Sequence, residues 1–518
     1  MSAAPLRPLD APPLTSSDPE YYTSDRRFFG HPRGLSTLFF TEMWERFSYY
    51  GIRPLLVLFM TAALLDGGFG FDRQTASAIV GIYAACVYLA SLPGGWIADR
   101  WLGLRRTIYY GAVLISLGHF AIALSSVFSK PAFFAGLVLI VLGTGLLKPN
   151  ISAIVGDLYP SADARRDAGF SIFYMGINVG ALIAPLITGY LGERVGWHYG
   201  FGAAGVGMVI GLITYRMRAG STLGPLGVLP SGTPEQQRTV RNATMIGAGL
   251  IAVVVLLAMT GRFTINPVAV GNSMAWVMLG TAVLYFGYLL VFAGLDTNER
   301  KRVAVIMVLA IFATIFWAAF EQAPTSLNLF AADFTDRNLF GWEVPILWLQ
   351  SVNSFFVITL APVFAALWVT MAKRGKEFSS IAKFSFALLF AGLGFYLMVA
   401  AANKVIAGGG DAVRVSMWWL TGSYLLQTIG ELALSPVGLS SMTKLSPRRF
   451  VGQMMGVWFL ATALGNLVAG LVGGHVDPNN LAQMPQLFQR TAFSLFIAAA
   501  VLALMIVPIR KMMGEAKH

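Results

Sequence analysis

Apolar runs of roughly twenty residues or more, separated by short polar breaks, recur fourteen times along the chain. A membrane-crossing helix needs about 20 mostly apolar residues. The pattern therefore predicts spans at 35–64, 75–97, 105–128, 132–157, 168–191, 197–216, 242–261, 272–295, 302–325, 343–372, 379–404, 415–442, 450–473 and 490–511. Several are longer than a bilayer requires, which implies tilt or projection beyond the lipid. The expected fold class is an all-α polytopic membrane protein with fourteen transmembrane helices.

The polar breaks divide the chain. The longest, 217–241, is rich in Gly, Pro and Ser and follows the sixth span. Two spans with almost no charge come next, then six more. The expected division is a disordered, polar, Pro-rich tail (1–33), a six-helix bundle (34–217), a linker with two additional helices (218–300), a second six-helix bundle (301–512) and a short tail (513–518). Two six-helix halves around a midplane site are the architecture of major facilitator transporters.

Composition supports this picture. Hydrophobic residues make up 56% of the 518 positions and charged residues only 12%, about half the share of a soluble domain. The net charge of +12 invites a nucleic-acid reading, but the placement of the bases removes it. Lys and Arg concentrate in every second connection, the positive-inside pattern, which puts both termini in the cytoplasm and makes the bilayer the partner. Residues 1–33 contain no apolar stretch of signal-peptide type, so the first span serves as an uncleaved insertion signal. The single cysteine, Cys86, forms no internal disulfide or thiolate cluster. The five histidines are scattered without an HExxH pattern, so neither a metal site nor an enzyme is expected. Nothing in the sequence requires an oligomer or a protein partner.

Charges inside the spans are the informative residues, because an ionisable group at the bilayer centre costs from about 2.5 to over 10 kcal/mol. The first span reads EMWERFSYYGIR. Glu42, Glu45, Arg46, Tyr49, Tyr50 and Arg53 fall on one helical stripe, which must face the bundle interior or water. Either the acids neutralise Arg46 or Arg53, or the stripe is functional. The fourth span reads GTGLLKPNIS. Its Lys148 is a candidate anion clamp, or an ion-pair partner of Glu42 or Glu45. Glu321 in FWAAFEQAP and Glu431 in GELALSPVG have no basic neighbour in sequence, so each needs a distant partner, a proton or a ligand. The mid-span amides Asn178 and Asn353 fit a peptide group or a staple between helices. Tyr88, Trp317, Phe320 and Trp458 suit pocket walls or packing. In GGWIADRWLGLRR, Asp99 with Arg105 and Arg106 reads as a breakable conformational latch or as an ordinary basic inner loop. GVGMVIG in the sixth span looks like a phosphate loop, but no strand precedes it and helix packing explains it better.

At these residues the sequence resembles the bacterial proton-dependent oligopeptide transporters of the major facilitator superfamily. EMWERFSYYG matches the family's first-helix signature in full, and GTGLLKPNIS, FSIFYMGINVG and GELALSPVGLS match further stretches. The resemblance runs from about 35 to 510. It implies proton-coupled symport of di- and tripeptides across the bacterial inner membrane by alternating access, with the proton as coupling ion and no cofactor. Glu42, Glu45, Arg46, Lys148 and Glu321 would couple protons. Arg46, Arg53 and Lys148 would attract the peptide carboxylate, and Glu431 would take the amino terminus. Asn178 and Asn353 would bind the ends and backbone, while Tyr49, Tyr50, Tyr88, Trp317 and Trp458 would shape side-chain pockets. Animal members carry a second-helix histidine linked to proton handling. The span 75–97 has none, so the carboxylates would carry the proton here. An alternative keeps the fold and changes the cargo to a peptide-like drug, an amino acid conjugate or nitrate.

Overall fold

The computed structural model describes residues 15, 18–125, 130–160, 163, 165–262, 265–375, 378–409 and 413–512. Among them stand fourteen long helices: α1 (Arg33–Thr61), α2 (Arg73–Ile97), α3 (Leu104–Ala123), α4 (Lys130–Asp157), α5 (Arg166–Arg194), α6 (Trp197–Leu223), α7 (Pro234–Met259), α8 (Pro267–Val291), α9 (Thr297–Phe320), α10 (Trp348–Lys373), α11 (Ser380–Ala407), α12 (Trp418–Leu445), α13 (Val451–Gly473) and α14 (Gln483–Met512). Each lies on a predicted span. Eleven are long and apolar enough to cross a membrane by length and composition alone. α1, α3 and α12 fall outside that set, and α1 carries buried acids and bases along its length.

The chain forms two compact units, Met1–Ile52 with Leu89–Ile265, and Arg53–Tyr88 with Asn266–His518. In the first, backbones approach closely because small residues recur where helices cross. α5 presents Gly176, Gly180, Ala184 and Thr188, one per turn, to α1. A Cβ at Gly176 would lie 2.8 Å from the Phe39 ring, one at Gly180 3.1 Å from the Arg46 Cβ, and Thr188 Oγ1 donates to Gly51 O at 2.9 Å. α3 and α4 meet through reciprocal contacts of Gly111 with Gly143 and of Gly118 with Gly136. The GVGMVIG stretch is packing surface, since Gly207 lies under Phe47 and Trp44, and Gly211 under Trp44. α7 also belongs to this unit. Its capping box, Thr233 with Gln236, fixes its start beside Arg100, whose Nη1 donates to Gln236 Oε1 at 2.8 Å.

Residues 18–32 depart from the expected disordered tail. Pro19–Thr23 is a short helix and Phe28 pairs with His31 in a β-bridge. Tyr22 is buried and packs on Gly224. Arg165 donates to the carbonyls of Thr23 at 3.0 Å, Gly30 at 3.2 Å and Asp25 at 3.4 Å. His31 Nδ1 lies 2.9 Å from the Tyr159 hydroxyl. Polar, Pro-rich composition reads as unstructured, but partners more than a hundred residues away hold this segment. Burial opposes ionisation of Asp25, yet hydrogen bonds from Arg27 and Arg33 prevail and hold its carboxyl at about 2. Residues 1–14, 16–17 and 513–518 lie outside the described residues.

In the second unit, the first turns of α2 lie directly on α13. A Cβ at Gly81 would meet Gly470 Cα at 2.8 Å and Leu467 O at 3.1 Å. Arg73 bonds both Asp333 and Val476 O, closing one end of that contact. α9 stops at Phe320. The chain then makes a π-helical turn, Ala323–Leu327, and a short helix, Asn328–Asp333. Asn328 Nδ2 donates to Pro54 O at 2.8 Å. α8 packs on α13, with Gly271 against Leu471 and Tyr285 Oη 2.5 Å from Gln453 Oε1.

Candidate functional site

The stripe on α1 forms as its spacing requires. Glu42, Glu45, Arg46, Tyr49 and Arg53 are all buried, and Tyr50 is half-buried. The stripe serves two separate constellations, one in each unit.

In the first unit Arg46 is the hub. Its Nε lies 3.1 Å from Glu42 Oε1 and also pairs with Glu45. The guanidinium stands 5.3 Å from the centre of the Tyr49 ring, a cation–π distance. Lys148 of α4 is half-buried and its charge reaches Glu42. Two buried acids and a buried base thus cluster with a half-buried one. Glu42 Oε2, Glu45 Oε1 and Arg46 Nη2 are buried without hydrogen-bond partners among the described residues. Unmet donors and acceptors in a low-dielectric setting are expensive, so this cluster is poised to accept a proton or a ligand anion.

In the second unit Arg53 pairs with Glu321. Its Nη1 lies 2.6 Å from Glu321 Oε2, and its Nη2 donates to Asn466 Oδ1 at 2.6 Å. The distant partner that Glu321 needed is therefore about two turns beyond Glu45 on the first span. Glu431 is held by Asn353, whose Nδ2 lies 3.2 Å from Glu431 Oε2 and 2.9 Å from Thr428 Oγ1. Asn353 is thus a staple between α10 and α12 and a ligand of the acid. The charge of Glu321 also reaches Glu431, so Glu321 answers to a cation on one side and an acid on the other.

The aromatic residues are placed variously. Trp317 meets Phe316 and Phe320 edge-on, and its indole N–H is buried without a partner among the described residues. Trp458 is buried with its ring against Gly438 of α12. Tyr88 is half-buried. Asn178 Nδ2 donates at 3.0 Å to Tyr174 O on its own helix.

Asp99, Arg105 and Arg106 are not brought together. No ion pair joins Asp99 to either base among the described residues. Arg105 donates to Gly224 O, and its backbone N–H to Gly227 O at 2.9 Å. The Asp99 carbonyl takes both the N–H and the hydroxyl of Ser231, at 2.8 and 2.9 Å. The segment after α6 thus engages Arg105 and the backbone carbonyl of Asp99.

Sequence reasoning passed over Asn466. Its signal was available, since a lone amide in the glycine-rich run ALGNLVAG is as conspicuous as those of INVG and QSVN. Gln350 was also missed. It donates to Ala323 O at 2.9 Å and to Tyr424 Oη at 3.1 Å, fixing the turn that carries Glu321.

The sequence pattern of the POT family matches residues 105–486. The peptide transporter YePEPT of Yersinia enterocolitica is 50% identical over 499 residues, covering 95% of this chain and 97% of its own length. A di-/tripeptide transporter of Lactococcus lactis subsp. cremoris is 36% identical, covering 95% and 99%. The crystal structure of a peptide transporter POT in complex with sulfate superposes with a TM-score of 0.87 at 39% identity, over 96% of this chain and 99% of that one.

Proposed function

The chain belongs to the POT family, and we propose that it carries di- and tripeptides into the cytoplasm together with protons. The observation that carries this reading is Glu431, a half-buried acid in mid-helix whose only described hydrogen-bond donor is the amide of Asn353. Such a group calls for a cation or a proton. A peptide amino terminus supplies one, while nitrate supplies none.

A peptide at neutral pH is a zwitterion, and both ends need partners once it leaves water. Glu431 takes the ammonium group. Arg46, Arg53 and Lys148 take the carboxylate, and Asn178 and Asn353 bind the ends and backbone. Tyr49, Tyr50, Tyr88, Trp317 and Trp458 provide walls that tolerate many side chains. The bases are occupied by acids in this state, so a proton must release them. Protonating Glu42 or Glu45 loosens Arg46, and protonating Glu321 loosens Arg53. Loss of the proton to the cytoplasm restores each pair and expels the carboxylate. One charge crossing 100 mV is worth about 2.3 kcal/mol, enough for a modest uphill gradient.

The six-plus-two-plus-six division, a bacterial inner-membrane location, cytoplasmic termini and action as a monomer complete the proposal. The alternating excess of Lys and Arg supports the orientation. The test is uptake of labelled dialanine into proteoliposomes with and without an inward proton gradient. Gradient-dependent accumulation that Glu45→Gln abolishes is expected. No dialanine uptake by folded protein under either condition overturns the assignment of cargo.

A further inference from the structure

A groove of about 490 Å³ runs along the membrane-facing side of the second unit, between α10, α11 and α14. Its walls are Phe364, Trp368 and Met371 of α10, Phe386 of α11, and Ala499 and Ala503 of α14. Two features of the sequence create it. α14 turns alanines toward this side, which leaves room where larger residues would fill it. α11 is pinned to α14 at the floor, with Ser385 Oγ donating to Ala499 O at 2.8 Å, while α10 packs chiefly on α12 and leaves its other flank uncovered.

The groove is apolar along its length and basic at one end. Lys383, on the first turn of α11, reaches across the mouth to stand 4.8 Å from the centre of the Trp368 ring on α10. Lys373 and Arg374 are exposed where α10 ends, at the same end of the groove. Lys376 and Glu377, in the connection to α11, lie outside the described residues. Lys383 has no part in the peptide or proton chemistry above, yet it lies within a helix that crosses the membrane. A long basic side chain so placed lays its methylenes on apolar surface and holds its ammonium at headgroup depth.

We propose that this groove is a binding site for one anionic phospholipid of the adjoining leaflet, with an acyl chain along α10 and α11 and its phosphate at Lys383. An apolar slot open to the bilayer suits a hydrocarbon chain. The cluster of Lys383, Lys373 and Arg374 selects for negative charge among the lipids that can enter. A neutral lipid would fill the slot equally well but bring no net negative charge to these bases.

The test places the photo-crosslinking residue p-benzoylphenylalanine at Phe386 in the full-length protein. The protein is reconstituted in vesicles of phosphatidylglycerol and phosphatidylethanolamine, and the cross-linked headgroup is read by mass spectrometry. Tyr396, exposed further along α11, serves as the control position. Phosphatidylglycerol should be captured at position 386 at about fivefold its share in the vesicle, the factor that one basic contact at an anionic surface supplies. At position 396 it should be captured in proportion. Lys383→Gln should return position 386 to proportion, while Lys383→Arg should keep the enrichment, which separates loss of charge from misfolding. Proportional capture in the unmodified background, enrichment that survives Lys383→Gln, or cross-linking to a second protein copy instead of lipid would each overturn the proposal.

Discussion

Arg46 takes both of its acids from its own helix, one lying four residues before it and the other directly before it. Removing the base leaves Glu42 and Glu45 buried without their direct ion-pair partner. Breaking a buried pair from one side costs about 3–5 kcal/mol. Arg46→Ala should therefore lower the thermal unfolding temperature in detergent and abolish gradient-driven uptake. Glu42→Gln in the same background should recover part of the stability and none of the uptake. His119 presents the opposite case. It is fully buried beside Gly205, and both ring nitrogens lack hydrogen-bond partners among the described residues. An unsatisfied buried polar group costs about 1–3 kcal/mol, so His119→Leu should raise the unfolding temperature and leave uptake unchanged. A loss of uptake in that variant would give the imidazole a role in transport.

At the scale of elements, the segment 18–32 depends on a few side chains from elsewhere in the first unit. His31 is held neutral below the usual imidazole range by burial first and by the charge of Arg165, with Asp163 opposing. Its contribution is therefore present above the ordinary imidazole value and is lost as pH falls. Asp25 behaves similarly further down. It stabilises the segment above the ordinary carboxylate range, and that contribution is lost toward about 2. Hydrogen-exchange protection across 18–32, taken relative to the intrinsic base-catalysed rate, should be greater at about pH 7 than at about pH 5, the interval in which an imidazole titrates. His31→Gln should flatten the difference, and Arg165→Ala should remove protection at both values. Little of this was legible in the sequence, because no periodic signal marks a segment held by Tyr159 and Arg165. The helices were legible, since each is an apolar run of bilayer length, and so was the stripe on α1, a local matter of spacing. The pairing of Arg53 with Glu321 and Asn466 was not, since hundreds of residues separate the partners and only the fold brings them together. The same limit hid the partners of Arg105, where backbone carbonyls, invisible in a pattern of side chains, replaced the expected acid.

At the scale of the molecule, the second unit joins α2 to α13 through Gly81 and Gly470, with a Cβ at either position meeting backbone. Gly470→Leu would force a side chain into a contact that has no room for one, at a cost of about 1–3 kcal/mol for overpacking. The variant should fold, since the helices themselves are unaffected, yet exchange faster across residues 74–84 and lose most of its uptake. Unchanged uptake would mean that this contact need not form during transport. The meeting of bare backbones has a further consequence. Interlocked side chains work like gear teeth, which must be unmeshed before two faces part and realigned before they rejoin. Two glycine faces have no teeth and therefore no register to lose. Polar bonds stand beside them, in Arg73 with Asp333 and Val476 O and in Arg53 with Glu321 and Asn466, as bolts stand beside a smooth door. A door of that kind opens when its bolts are drawn, and each of these bolts ends in a carboxylate whose charge a proton would remove.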